Sequence, residues 1–232
     1  MSDSKWQKYA LIGGPVFIVL ALVGTLLAGS PPAPDASTAK INSFFADNHG
    51  AIKAGAFLGL LAAIFLIWWF ATLWRHMFDL EGGRPRLAIV SLAGLVLAGA
   101  VTVVSIAILG GMALRYQDLG DNAGLLWAIY GALGAASSIG VAVHIGAVAA
   151  LGFRTHFLPQ WVNALGALAA LVNVLATLGV ASDSSGVLGI LIAGFAGWAV
   201  WIIAVSVYLW RRPLLGADLQ AVGVVTATVL TS

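Results

Sequence analysis

Cysteine is absent from the 232-residue chain, which excludes a disulfide framework, a thiol nucleophile, a thiolate zinc site and a cysteine-held iron–sulfur cluster. Charge is scarce as well: Asp, Glu, Lys and Arg make up 9% of the residues, against 61% hydrophobic. Soluble domains carry about 25% charged residues, so that class is excluded too. Eleven Lys or Arg and nine Asp or Glu leave a net charge of +2, too thinly scattered for a nucleic-acid patch. No Walker loop, G-x-G-x-x-G turn, H-E-x-x-H helix or G-x-S-x-G elbow occurs, so the usual soluble catalytic motifs are missing.

What the chain does have is six long windows without a single charge, at 9–34, 54–74, 87–114, 122–153, 155–182 and 184–210. A helix needs about 20 apolar residues to cross a hydrocarbon core of about 30 Å, and backbone in lipid must satisfy its own hydrogen bonds. The sequence therefore predicts an all-α polytopic bundle with spans near 9–29, 53–74, 87–114, 124–152, 161–181 and 187–210. A cytoplasmic tail follows from 213 to 232, with no role assigned to it. The first apolar run exceeds a signal-peptide core of about 7–15 residues, so it is expected to remain as an anchor.

The charges between the windows set an orientation. Lys5, Lys8, Arg75, Arg84, Arg86, Arg154, Arg211 and Arg212 fall on one side, and Lys40, Lys53 and Arg115 on the other with Asp35, Asp47, Asp118, Asp121 and Asp183. The positive-inside rule places both termini in the cytoplasm. Trp6, Trp74, Trp161 and Trp210 would anchor the inner interface and Trp127 the outer one. In the inner loop Leu80 to Arg86, the arginines are read as setting topology and touching anionic headgroups.

One connection is long. Residues 30–52 open on Ser30-Pro31-Pro32-Ala33-Pro34, after which Asp35 or Ser37 can cap a helix running to about Asp47, with Asn48-His49-Gly50 as its stop. Ile41, Phe44 and Phe45 share one face, opposite Lys40, Asn42 and Ser43. This predicts an extracytoplasmic amphipathic helix between spans 1 and 2, either packed over the bundle or acting as a lid above an outer cavity. Beneath it Asp47, His49, Lys53, Arg115, Asp118 and Asp121 could form a polar vestibule, or be the ordinary charge of a membrane surface.

Inside the spans the polar residues are few: Thr102 and Ser105 in the third, Ser137, Ser138 and His144 in the fourth, and Asn163, Asn173 and Thr177 in the fifth. No Asp, Glu, Lys or Arg lies in the middle of any span, which disfavours a proton-coupled pump and leaves a neutral-solute facilitator open. Gly140, one turn before His144, leaves room for a flat tetrapyrrole ligated by the imidazole, a haem or chlorophyll. The competing reading is a neutral histidine bonded to a hydroxyl on a neighbouring helix. A site needing several metal ligands is poorer still, and a Ser137–His144 dyad fails because seven residues separate its members by about 10 Å. Gly131, Gly134, Ala135, Ser138, Gly140, Gly146 and Ala150 make the fourth span the expected central packing helix, with Gly94 and Ala98 continuing the pattern in the third. An outward-facing stripe of this kind would make a homo-oligomer.

Gly152-Phe153-Arg154-Thr155-His156-Phe157-Leu158-Pro159-Gln160-Trp161, with Leu165-Gly166 after it, resembles the "FLPxW…LG" turn of a bacterial six-helix membrane family known only as a domain of unknown function, common in actinobacteria. The loop Pro34-Asp35-Ala36-Ser37 and the run Phe44 to Gly50 before Ala54-Gly55-Ala56 are similar to actinobacterial relatives of that group. Gln160 stands where the family often has a basic residue. The resemblance implies six helices and a bacterial inner membrane, and brings no activity or catalytic residues. The expected function is a non-enzymatic membrane subunit or binding module for a partner protein or an apolar, lipidic ligand. The alternatives are a facilitator lined by Ser137, His144, Asn163 and Asn173, and a tetrapyrrole protein using His144.

Overall fold

Each charge-free window is a helix in the computed structural model, which describes residues 3–182 and 184–211. The helices are α1 (Asp3–Leu27), α2 (Thr38–Leu80), α3 (Arg86–Leu114), α4 (Ala123–Thr155), α5 (Gln160–Ala176, prolonged by a 3-10 turn over Thr177–Val180) and α6 (Ser185–Trp210). Two short 3-10 turns, Tyr116–Asp118 and Gly120–Asn122, join α3 to α4, and no strand occurs among the described residues. All six helices are long and apolar enough to cross a bilayer, so the chain is a multi-pass helical membrane protein. Asp183, Arg212 and the expected tail 213–232 lie outside the described residues.

The breaks follow local chemistry. Glycines with positive φ turn the chain after α1 (Gly29, 76°) and after α2 (Gly82, 61°; Gly83, 85°). The carboxylate of Glu81 then accepts from the backbone N–H of Leu87 (2.9 Å) and Ala88 (2.8 Å), two of the donors that the first turn of α3 leaves unpaired. α4 ends where His156 adopts a left-handed conformation (φ 56°) and its N–H returns to the Gly152 carbonyl. Pro159 precedes the first residue of α5, and Ser184 caps α6 through Val187 N.

Helices adjacent in sequence pack on one another and α6 returns to α1, closing a ring, while α4 also reaches α2 and α6. The start of α1 and the end of α6 share one end, called terminal below, where Tyr9 meets Trp210; the opposite end is called distal. α4 is the central helix, as its small residues predict: 67% of its span is buried, against 22–33% in the other five. Its tightest crossing is with α3, where a methyl group on Gly140 would stand 2.6 Å from both the Ala98 nitrogen and the Gly94 carbonyl oxygen. Gly24 and Gly55 make a comparable contact between α1 and α2. Hydrophobicity does not bring helices together in lipid, so such close backbone approaches and a few interhelical hydrogen bonds carry the association. The main core runs from Leu11 and Phe17 through Trp69, Leu73, Ile145 and Val148 to Trp201 and Val205.

Two expectations are corrected. The amphipathic segment is helical and is capped by Ser37, whose Oγ accepts from Lys40 N, yet it does not stop at Gly50. It is the first part of the 43-residue helix α2, about 64 Å long and twice the depth of a hydrocarbon core. Asn48 bonds back to the Phe44 carbonyl (2.9 Å) instead of leaving the helix. A mid-helix glycine costs only about 1 kcal/mol, less than the packing of the face that carries Ile41, Phe45 and Ile52, each 0–1% exposed. Trp127, expected as an interfacial anchor, is 7% exposed and belongs to that packing; Trp6 and Trp161 are more than half exposed.

Candidate functional site

At the distal end, the stripe read as a lid closes on the bundle. Phe44, Phe45 and Trp127 form a mutual set of ring contacts at 5.6–6.2 Å, with Tyr130 5.2 Å from Trp127. Ile41, Ile52, Met112, Ala113 and Leu119 fill the space around them. The Trp127 indole N–H donates to the Ala33 carbonyl (3.3 Å), tying the proline-rich loop to α4. Asn42, on the face opposite Phe44, is half-buried and donates to the Gly120 carbonyl (3.0 Å). This segment is thus packed over the distal end of the bundle.

The six vestibule residues do not converge on one point. Arg115 and Asp118 pair with each other (2.9 Å) one turn apart, both well exposed. His49 stacks on Tyr116 at 4.2 Å and 12°, which brings the edge of α2 against the α3–α4 connection. Asp47 accepts from Ser43 on its own helix (3.4 Å), and Lys53 and Asp121 are exposed. What the structure forms there is a cleft of about 320 Å³ between the distal ends of α3 and α4. Ile108, Met112, Leu119 and Leu126 supply its apolar lining, Gly111 leaves it room, and Arg115, Asp118 and Asn122 form its polar edge. Two of the six expected residues thus border it, and the apolar ones were not foreseen.

Within the spans each polar residue serves a separate contact. His144 is 0% exposed, and its Nδ1 lies 2.9 Å from Ser91 Oγ on α3, the hydroxyl partner that the packing reading expected. Its ring stands nearly perpendicular to Phe70 (5.1 Å) and Trp201 (5.8 Å), and its Nε2 has no hydrogen-bond partner. The room beside Gly140, read as space for a flat macrocycle, is filled by Gly94 and Ala98 of α3. Asn173 donates to Ala169 on its own helix (2.9 Å) and to Gly194 on α6 (3.1 Å). Asn163 donates to the Leu158 carbonyl (3.2 Å) and packs against Gly152. Ser137 returns to Gly134 O one turn earlier (2.7 Å), and Ser105 donates to Tyr130 O across α3 and α4 (3.1 Å).

Ser137, His144, Asn163 and Asn173 therefore each hold a separate contact, and none of them borders the distal cleft. Ser91 is the residue that sequence reasoning missed. Its signal was spacing, because Ser91, Gly94 and Ala98 fall at i, i+3 and i+7 on the face of α3 already marked for α4. The Trp69–Ser206 bond (2.8 Å) joining α2 to α6 was missed as well. Among the described residues, no three His, Asp or Glu side chains gather in a metal-binding arrangement. No family model, curated protein or solved structure matches the chain.

Proposed function

We propose that the protein is a non-enzymatic membrane subunit or binding module that accepts an apolar, lipid-like chain in the distal cleft between α3 and α4. The observation that carries this reading is the composition of the cleft: four large apolar side chains below an Arg115–Asp118 ion pair. Such a lining favours a ligand with an apolar body and a polar end. The facilitator reading has less support, since its four residues are spent on separate helix contacts. The tetrapyrrole reading has less support for the reason given at Gly140. The distal end is extracytoplasmic in this proposal and the membrane is a bacterial inner membrane. Orientation rests on the eight basic residues assigned to the terminal end, and the choice of membrane on the resemblance at the α4–α5 turn.

The test is photocrosslinking with a diazirine-bearing fatty acyl probe in proteoliposomes, mapped by peptide mass spectrometry. Crosslinks concentrated at Met112 and Leu126 are expected. Gly111→Leu should abolish them without unfolding the protein, because nothing lies within 4 Å of a β-carbon added there and the residue is exposed. Crosslinks spread evenly over the lipid-facing helices, or unchanged in Gly111→Leu, would overturn the proposal.

A further inference from the structure

The turn between α2 and α3, at the terminal end, has the makings of a different site. Its single acid, Glu81, is fully used: both carboxylate oxygens accept from the first turn of α3, at Leu87 N and Ala88 N. Arg84 and Arg86 flank that cap and are exposed. Among the described residues the ion pairs are Arg75–Asp79 and Arg115–Asp118, so neither arginine of the turn is matched by a carboxylate. The two border a shallow, open surface depression of about 440 Å³ whose other lining is Pro85, Ile89 and Val90. Beyond it α3 continues as an exposed apolar face, with Ile89 at 55%, Val96 at 61% and Leu97 at 48%.

Two uncompensated guanidinium groups above an apolar floor that opens onto a lipid-facing helix match one kind of ligand. We propose that this shallow surface binds an anionic phospholipid, its phosphate held by Arg84 and Arg86 and an acyl chain laid along Ile89, Val90 and the α3 face. Arginine forks pair with phosphate oxygens two at a time. The floor explains why a lipid is chosen over a soluble phosphate, which would leave Ile89 and Val90 without a partner. Glu81 has a supporting part, because with both oxygens capping α3 it forms no ion pair with Arg84 or Arg86. This site is independent of the distal cleft and stands or falls separately.

The experiment is native mass spectrometry of the full chain released from mixed phosphatidylglycerol and phosphatidylcholine nanodiscs, counting retained lipids. Wild-type protein should retain phosphatidylglycerol selectively. Arg84→Gln or Arg86→Gln should weaken retention by about fivefold each and the pair by about thirtyfold, from the attraction that one basic residue has for an anionic surface. Arg75→Gln is the control, since Arg75 lies at the same end but is matched by Asp79, and it should retain phosphatidylglycerol as wild type does. Equal loss in the control would reduce the effect to diffuse surface charge and overturn the site. Equal retention of both lipids would also overturn it, as would displacement of phosphatidylglycerol by inorganic phosphate, which would make the ligand a soluble anion.

Discussion

Gly140→Ala tests whether the α3–α4 crossing sets the geometry of the interior. The added methyl would lie 2.6 Å from the Ala98 nitrogen and the Gly94 carbonyl oxygen, against an ordinary contact of at least 3.4 Å. Both atoms are backbone, so no side chain can rotate away and the helices must separate by about 0.8 Å at this level. His144 lies one turn further along α4 and its partner Ser91 one turn back along α3, so their 2.9 Å contact would stretch toward about 3.7 Å and cease to be a hydrogen bond. Overpacking costs about 1–3 kcal/mol and an interhelical hydrogen bond in a membrane about 0.6 kcal/mol. Alanine returns about 1 kcal/mol through helix propensity. The net is a loss of about 0.6–2.6 kcal/mol, or roughly 1–10 °C in Tm for a chain of this size. Thermal unfolding in mild detergent, followed by tryptophan fluorescence, reads it. Gly134→Ala on the same helix meets nothing within 4 Å and should be neutral or slightly stabilising. Equal stability of the two variants would refute the claim that close backbone approach holds α3 to α4.

Other expectations follow from single contacts. Asn173→Leu removes the bond to Gly194 on α6 and should cost about 1–2 kcal/mol in the same unfolding assay. At His156, held at φ 56°, valine should destabilise by about 1–2 kcal/mol whereas glycine should be neutral or stabilising, which separates backbone strain from any role of the imidazole. Glu81→Ala should lower stability by about 1–2 kcal/mol through the uncapped start of α3, with hydrogen exchange at Leu87 and Ala88 N–H as the local readout.

Much of the fold was legible because charge scarcity itself marks the spans: α3 and α6 begin and end within about two residues of their charge-free windows. The central place of α4 was legible too, since small residues have one main use in a lipid solvent. Other features needed tertiary information. The continuity of α2 through Asn48-His49-Gly50 depends on what Phe45 and Ile52 pack against, and no local signal outweighs that packing. The distal cleft is made of apolar residues that a sequence shows as ordinary lining, so its charged edge at Arg115 and Asp118 was foreseen and its floor was not. The small-residue run of α4 divides in the same way. Gly140 is filled by α3, but Gly131 and Gly134 meet nothing within 4 Å, a distinction that depends on where neighbours stand.

If ligand contact takes place at the ends of the bundle, its interior is structural and dry. Because the chain has no native cysteine, single substitutions report cleanly. Ser138→Cys and Asn173→Cys, at interior positions 3–7% exposed, would be compared with Asp121→Cys and Arg84→Cys in proteoliposomes treated with a water-soluble, membrane-impermeant maleimide. The account predicts that the two end positions label rapidly, from opposite faces of the membrane, while the interior ones stay unmodified until the protein is unfolded. Rapid labelling at Ser138→Cys or Asn173→Cys in the folded protein would reveal a water-filled path through the bundle and contradict it.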